Sequence, residues 1–264
     1  MNKSITGKKI IITGASGGLG AQFAMEIAKA GGIPILIARS LDKLEAVRRQ
    51  IAETTGIEAF VYSADLLDEA ALSGTFETIL EKHERIDALI NNAGVGKFDA
   101  VLDMDWSDLD RMFRLNVFAM IRTIQYMLPH FRKNSSGHIV NIISQAGKIA
   151  TPKSAGYCAS KHAMIGYSNV LRQEAREMGV QVTTVNVGPV RTDFFDKADP
   201  EGSYAKSVER YMLNPADVAV KVAGLLFTSR RELNMPWWME FGSKMYQLIP
   251  GLMEKVLKSQ FNKK

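Results

Sequence analysis

The fold of this chain is decided by the stretch KIIITGASGGLG, which occupies residues 9–20. The apolar run that ends at Thr13 predicts a buried strand, and the glycines that follow lead directly into a helical pattern. Glycines permit a tight turn and let a ligand approach the N–H groups at the positive end of that helix. The loop therefore predicts a pyrophosphate site, and a glycine-rich turn without a ligand is the alternative. The residues expected to contact the pyrophosphate are Gly14, Ser16, Gly18, Leu19 and Gly20.

Further along the chain, short apolar or β-branched runs alternate with longer helical patterns. Several runs are apolar at every position, as expected for strands covered on both faces. This alternation predicts an α/β fold, a Rossmann-type doubly wound parallel sheet of about seven strands with helices on both faces, in a single domain over residues 1–264. The strands located by composition are residues 9–13, 33–38, 58–63, 87–91, 138–143 and 181–187. The predicted helices are residues 18–30, 40–54, 68–83, 106–131, 157–178 and 215–229.

The residues that follow the second predicted strand bear on the choice between NAD and NADP. About 20 residues beyond the glycine loop, a carboxylate normally accepts the adenosine ribose hydroxyls of NAD, whereas an arginine accommodates the extra phosphate of NADP. Here the chain has Arg39 and Ser40, a guanidinium and a hydroxyl, and no carboxylate. We therefore expect NADP(H) to be preferred over NAD(H). The alternative is that Arg39 is only a solvated residue at a strand end.

A second group of residues has the chemistry of proton transfer. Tyr157 and Lys161 are four positions apart, so a helix presents them on one face. An ammonium beside a phenol favours the phenolate, and we expect it to lower the tyrosine pKa from about 10 towards working pH. The spacing alone is common and mostly structural. Ser144 strengthens the interpretation because it follows a predicted strand, at the sheet edge where ligands bind in open α/β sheets.

With these motifs in order along nearly its whole length, the chain resembles the short-chain dehydrogenase/reductase family. The resemblance implies hydride transfer between NADP(H) and a carbonyl compound or secondary alcohol. It implies that Tyr157 is the general acid/base, that Lys161 binds the nicotinamide ribose and lowers the tyrosine pKa, that Ser144 binds the substrate oxygen, and that Asn116 holds a water in a proton relay. The residues that carry the resemblance are Thr13, Gly14, Gly18, Gly20, Asp65, Asn91, Asn92, Ala93, Gly94, Asn116, Ser144, Tyr157 and Lys161.

The resemblance also implies further cofactor contacts, and at one position the chain departs from the family pattern. Members commonly have Pro-Gly after the sixth strand, where this chain has Val187 and Gly188. Val190 and Thr192 remain in register with the family's nicotinamide contacts. The cofactor-binding residues implied beyond the glycine loop are Asp65, Leu66, Asn92, Ala93, Gly94, Tyr157, Lys161, Val190 and Thr192.

Composition limits the other classes of function. The net charge of +5 and the isoelectric point near 9.2 suit anionic ligands, but the basic residues are scattered, so we expect no nucleic-acid partner. Cys158 is the only cysteine, which excludes an intrachain disulfide and a cysteine zinc cluster and fits a cytoplasmic location. We expect no metal site and interpret Cys158 as a packing residue. Residues 1–7 are polar and lack a signal-peptide pattern, and no apolar run is long enough to span a membrane.

Two segments near the end of the chain belong to the substrate side. Residues 189–213, the lid segment, look irregular, and Phe194, Phe195 and Tyr204 either suit an apolar substrate or only pack the lid down. The C-terminal tail, residues 235–264, mixes aromatic and apolar residues with lysines that include Lys263 and Lys264. We favour a tail that packs on its own domain, covers the pocket or joins subunits over one that lies on a membrane surface.

The same residues bear on the substrate, the assembly and the alternative functions of the protein. We expect a small carbonyl or alcohol substrate and a homodimer or homotetramer. The alternative functions are an NADP-binding regulatory protein without turnover and a surface-associated protein anchored by the tail. The intact set of Ser144, Tyr157 and Lys161 argues against a sensor, because binding alone requires no proton-transfer residues.

Overall fold

Seven parallel strands form one sheet in the order β3-β2-β1-β4-β5-β6-β7. The computed structural model describes residues 5–261, with side chains described up to residue 255. The sequence-based prediction of a doubly wound parallel sheet is therefore confirmed. The strands are β1 (Lys9–Thr13), β2 (Ile33–Ala38), β3 (Phe60–Ser63), β4 (Ala88–Asn91), β5 (Gly137–Ile142), β6 (Val180–Val187) and β7 (Glu232–Met235).

The central strands are buried on both faces, which explains their continuous apolar composition. Ile10, Ile11 and Ile12 of β1 are all inaccessible to solvent, and every residue of β4 and β5 is buried. The edge strand β7 is different, because only alternate residues of its short sequence ELNM are buried. It therefore has no apolar run by which composition could locate it, and no strand was predicted over these residues.

Helices cover both faces of the sheet. One apolar cluster joins the sheet to α1, α2 and α9, and a second cluster joins its other face to α3, α5 and α6. The predicted stop of α2 is confirmed by Gly56, which adopts the left-handed conformation at φ 72°. The helices are α1 (Gly18–Lys29), α2 (Leu41–Thr55), α3 (Glu69–Lys82), α4 (Trp106–Met112), α5 (Met120–Lys133), α6 (Ala155–Arg176), α7 (Phe194–Ala198), α8 (Ser203–Val208), α9 (Pro215–Leu225), α10 (Trp237–Leu248) and α11 (Pro250–Phe261).

Two predicted segments differ from the structure in detail. The helix expected over residues 106–131 is interrupted, because a π-helical turn, Phe113–Ala119, joins α4 to α5. The lid segment is more regular than expected, since it holds α7, α8 and a 3-10 turn at Glu209–Tyr211. These helices are too short for the 3.6-residue period to be visible in the sequence.

The tail packs one face of α10 against the end of the sheet. Ser243 is buried there, and the backbone N–H of Gly188, which follows β6, donates to the carbonyl of Met235, 2.6 Å away. Among the described helices, none is both long enough and apolar enough to cross a bilayer. Lys263 and Lys264, which the sequence analysis assigned to the tail, lie outside the described residues.

Candidate active site

The carboxyl ends of β1 and β4 meet at one edge of the sheet and are tied together there. The Thr13 hydroxyl accepts hydrogen bonds from the backbone N–H groups of Asn92 and Ala93, at 3.0 and 3.1 Å. The Asn92 side-chain amide donates in return to the carbonyls of Thr13 and Gly14, at 3.0 and 3.2 Å. The glycine loop and the NNAG segment, which lie about 80 positions apart in sequence, therefore form one rigid unit.

The glycine loop fits a dinucleotide pyrophosphate. Gly14 has φ +67°, and a Cβ there would lie 2.9 Å from the Ala93 Cα atom, while a Cβ at Gly20 would overlap the Gly14 carbonyl oxygen. Both glycines are therefore required by close backbone packing. Helix α1 begins at Gly18 with no acidic residue in its first turn, so its N–H groups and positive dipole end are open to an anion. Ser16 and Leu19 lie in the same turn.

The residues predicted to select the cofactor lie where β2 and β3 end side by side. Arg39 is exposed, its carbonyl accepts a hydrogen bond from Ser63 Oγ at 2.9 Å, and its guanidinium forms no ion pair with any described residue. Ser40 precedes α2 as its N-cap without using its hydroxyl in a capping bond. Asp65 accepts the backbone N–H of Leu67 at 3.0 Å. Next to Asp65 in sequence, Leu66 is buried.

Tyr157, Ser144 and Lys161 come together near the NNAG segment, where a Cβ on Gly94 would lie 3.7 Å from the Lys161 Nζ atom. Ser144 follows β5 and caps a 3-10 turn, its hydroxyl accepting the Ala146 N–H at 3.1 Å, and it is hydrogen-bonded to the Tyr157 side chain. Lys161 is buried, and its Nζ lies 5.7 Å from the centre of the Tyr157 ring. The Lys161 ammonium also donates to the carbonyl of Ile142, the last residue of β5, at 3.4 Å.

Burial dominates the electrostatics of Tyr157 and Lys161. Burial around the hydroxyl raises the pKa of Tyr157, although the Ser144 hydrogen bond lowers it. Burial also lowers the pKa of Lys161 to about 8. Desolvation of Tyr157 therefore outweighs the hydrogen bond from Ser144, and the side chain is a neutral phenol, which is the form that donates a proton.

Asn116 lies in the π-helical turn and is fully buried. Its side-chain oxygen accepts the Val95 N–H at 2.8 Å, and its nitrogen donates to the Val95 carbonyl at 2.9 Å and to the Ser160 hydroxyl at 3.1 Å. The side chain therefore fixes the segment that follows Gly94. The sequence predicted that Asn116 belongs to the site but did not indicate this use of its amide.

The lid segment also approaches the glycine loop. Thr192 lies against Gly18, since a Cβ on that glycine would be 3.7 Å from the Thr192 Cβ atom. Val190 forms an isolated parallel bridge with Leu213. Val187 stands where members of the family commonly have proline. In this structure it continues β6 and pairs with Met235 of β7.

Aromatic contacts join residues 194–204 to Tyr157, and they include Phe98, which was not predicted from the sequence. The Tyr157 ring lies 5.8 Å from Phe98 and 5.7 Å from Phe194, and Phe98 lies 5.1 Å from Tyr204. Phe195 packs against Tyr204 at 5.8 Å, and burial raises the pKa of Tyr204 to about 12. The only signal for Phe98 is its nearness in sequence to the NNAG segment.

Cys158 is buried, with its sulfur 3.2 Å from the Ser154 hydroxyl. The described residues contain no cluster of histidine, cysteine or carboxylate side chains that could hold a metal ion.

A Rossmann-type sheet, a glycine-lined helix N-terminus and a Ser-Tyr-Lys cluster together define the class of oxidoreductases that use a nicotinamide dinucleotide. The chain belongs to the short-chain dehydrogenase/reductase family, whose model, described as short chain dehydrogenase, matches residues 8–202. Human dehydrogenase/reductase SDR family member 7 is similar, with 32% identity over 222 residues that cover 83% of this chain and 64% of the human protein. This chain thus spans less than two thirds of that relative.

Two further similarities involve proteins named for NADP. The NADP-dependent 3-hydroxy acid dehydrogenase of Schizosaccharomyces pombe is 31% identical over 236 residues, covering 86% of this chain and 89% of that protein. The crystal structure of a metagenomic short-chain oxidoreductase in complex with NADP has a TM-score of 0.73 and 31% identity, covering 88% of this chain and 98% of that chain.

Proposed function

We propose that this protein reduces a carbonyl compound with NADPH, or oxidises the corresponding secondary alcohol, with Tyr157 as the general acid/base. The observation that carries the proposal is the contact of Tyr157 with Ser144 and Lys161 next to the NNAG segment, which is tied to the glycine loop. Burial keeps the tyrosine protonated, and this favours its role as a proton donor in the reducing direction. The aromatic residues around Tyr157 favour an apolar substrate.

The roles of the side chains follow from the charge that develops on the substrate. When bound, NADP(H) supplies or accepts the hydride at the substrate carbon. Ser144 donates a hydrogen bond to the substrate oxygen as negative charge grows there, and Tyr157 transfers its proton to the same oxygen. Lys161 holds the nicotinamide ribose, and its ammonium stabilises the tyrosinate left behind. Asn116 positions the segment after Gly94, and a water relay through it belongs to the same proposal.

The test of catalysis is Tyr157→Phe, with Tyr167→Phe on the same helix as the matched control. Oxidation of NADPH is followed against ketones, aldehydes and 3-oxoacyl thioesters, and NADPH binding is measured separately. A positioned acid contributes about 10²–10⁴ in rate, so we expect the turnover rate of Tyr157→Phe to be at least about 10² lower than that of the wild type. The variant should still bind NADPH. Turnover like that of Tyr167→Phe would refute the assignment.

NADP(H) is the proposed cofactor because Arg39 and Ser40 offer a cation and a hydroxyl at the adenosine end. The named cofactor of the two relatives agrees with this choice. Hydrogen bonds to charged groups contribute about 1.5–3 kcal/mol, so Arg39→Ser should lower the NADPH/NADH ratio of kcat/KM by roughly 10- to 100-fold. Arg49→Ser, an exposed change on α2, is the control. An unchanged ratio would remove Arg39 from the cofactor site.

The proposal extends to the domain organisation, the location and the assembly of the protein. They are a single domain with a substrate lid at residues 189–213, a cytoplasmic location and a homodimer or homotetramer. Strand β7 is an edge strand of the described sheet, and we propose its outer edge as the contact between subunits. Light scattering tests the assembly. The competing function is an NADP-binding regulator, which would bind NADPH and turn over no member of the substrate panel.

A further inference from the structure

Phe98 lies in the loop that follows the NNAG segment, and its ring packs against the ring of Tyr157. The two ring centres are 5.8 Å apart, and the ring planes meet at 79°. The same ring contacts Tyr204 of α8 at 5.1 Å and Phe195 of α7 at 6.4 Å. Phe98 therefore joins the proposed proton donor to the lid segment.

The backbone of this loop holds Phe98 in place. Its N–H donates to the carbonyl of Ala198, a buried residue at the end of α7, at 2.9 Å. Two positions earlier, a Cβ at Gly96 would lie 2.6 Å from the Phe194 ring and 3.3 Å from the Cδ2 atom of Tyr157. The loop thus lies directly on both rings, and the place of Phe98 beside the tyrosine follows from these backbone contacts.

The rings around Tyr157 keep part of their surface exposed. Phe98, Tyr157, Phe194 and Tyr204 are each half-buried, whereas Phe195, which packs on Phe98, is buried. Because these rings contact one another, their exposed parts form a mostly apolar surface next to the proposed proton donor. Sites for small molecules are usually lined in this way, with a few polar groups that fix the orientation of the ligand.

The side chains next to this surface disfavour a charged ligand. The two charged neighbours of Phe98 are directed to each other, since Lys97 Nζ lies 3.9 Å from a carboxylate oxygen of Asp99. Tyr204 stays a neutral phenol because burial raises its pKa to about 12. A charged group placed against these rings would lose its hydration to neutral side chains, which is strongly unfavourable.

We propose that Phe98 is a specificity-determining residue, which selects carbonyl substrates that carry an uncharged apolar substituent of at least the size of a benzene ring. This inference rests on the proposed function, in which Ser144 and Tyr157 hold the carbonyl oxygen. A substituent on the carbonyl carbon then lies among rings whose centres are within 6 Å of the Tyr157 ring, the distance at which aromatic groups pack. It replaces water on the exposed parts of these rings, and burial of that apolar surface favours binding.

The test compares three methyl ketones that differ only in the second substituent: acetophenone, 4-acetylbenzoate and 2-butanone. The wild type should reduce acetophenone with a kcat/KM at least about tenfold above that of either other ketone. Phe98→Ala should lower the acetophenone/2-butanone ratio of kcat/KM at least about tenfold, because the wall that contacts the larger group is lost. The matched control is Phe60→Ala, since Phe60 is 37% exposed at the start of β3, and it should change the ratio less than about twofold.

The ratio separates a role in specificity from a role in structure. If Phe98 only supported the lid, its replacement would lower kcat/KM for acetophenone and 2-butanone alike and leave their ratio unchanged. Binding of NADPH by each variant reports that the fold is intact. If Phe98→Ala does not bind NADPH, Phe98→Leu, which keeps a smaller apolar side chain, is compared in its place and should lower the ratio at least about threefold.

A binding measurement makes the role of Phe98 independent of turnover. Calorimetry with acetophenone and saturating NADPH compares Tyr157→Phe with Tyr157→Phe combined with Phe98→Ala, and the second change should weaken binding at least about tenfold. The inference is overturned if acetophenone does not bind, if the second change leaves its affinity unaltered, or if the wild type prefers 4-acetylbenzoate or 2-butanone. An unchanged ratio of kcat/KM in Phe98→Ala also overturns it. Wild-type protein that binds acetophenone and reduces none of the ketones would refute the proposed function instead, and the calorimetry would then decide the role of Phe98.

Discussion

Replacement of Lys148 by methionine tests how the tail is attached to the turn that carries Ser144. Lys148 lies four residues after Ser144, is only 10% exposed, and its ammonium is 2.7 Å from a carboxylate oxygen of both Glu232 and Glu240. It also donates to the side-chain oxygen of Asn234 at 3.1 Å. One cation thus joins the catalytic turn to β7 and α10. Methionine keeps most of the length of the side chain and removes its charge.

The size of the effect follows from the geometry of the two carboxylates. Each oxygen lies 2.7 Å from the ammonium, so the two oxygens are at most twice that distance, 5.4 Å, from each other. At an effective dielectric constant of about 20, two like charges at that separation repel by roughly 3 kcal/mol. Both carboxylates keep some exposure, and Arg231 and Lys244 each lie 3.6 Å from one of them, so solvent and these two cations relieve part of this repulsion. We therefore expect Lys148→Met to lower the free energy of unfolding by about 2 kcal/mol near pH 7.

The pH dependence of this loss has a defined sign. Burial raises the pKa of Glu232, but the hydrogen bond and charge of Lys148 hold it below its usual value of 4.5. The wild-type contribution is therefore present above pH 4.5 and is lost as pH falls through the lowered pKa. Without the cation, burial and the neighbouring carboxylate raise the pKa, so a proton relieves the repulsion. The cost of the substitution should therefore shrink by about half or more between pH 7 and pH 4.5.

Urea denaturation at both pH values measures this cost, and hydrogen exchange reports whether the amides of α10 open before those of β1. Lys221→Met is the matched control because Lys221 is exposed and should cost less than about 0.5 kcal/mol. The reasoning fails if Lys148→Met costs no more than this control, or if its cost is the same at both pH values.

Two further predictions concern the glycine loop and a buried histidine. Gly20→Ala should weaken NADPH binding at least about tenfold by calorimetry, since its Cβ would overlap the Gly14 carbonyl, whereas Gly74→Ala in open space should not. His138 accepts the Phe227 N–H at 2.9 Å, and burial lowers its pKa from 6.5 to about 4. As pH falls, the unfolded chain is protonated at this histidine before the folded chain is. The free energy of unfolding should therefore fall by about 2 kcal/mol between pH 7 and pH 5 in the wild type but not in His138→Gln. Equal decreases in the two proteins, measured by urea denaturation, would contradict this.

Local sequence was sufficient for the elements with a clear period. Strands buried on both faces must be apolar throughout, so β1, β2 and β5 were located to within a residue of their bounds. The strand β7 was missed because its four residues alternate in burial and lie next to Pro236. The π-helical turn around Asn116 was missed because its sequence resembles that of an ordinary helix.

Sequence by itself determined the doubly wound sheet, the glycine loop and the order of Ser144, Tyr157 and Lys161, because each depends on residue type and on spacing within one element. Tertiary structure alone decided which groups surround the site: the packing of Phe98 on Tyr157, the neutral phenol, and the ion pair between Lys148 and Glu240. That ion pair joins residues 92 positions apart. Such contacts and the burial that shifts a pKa arise only when distant segments pack together, and no local pattern in the sequence records them.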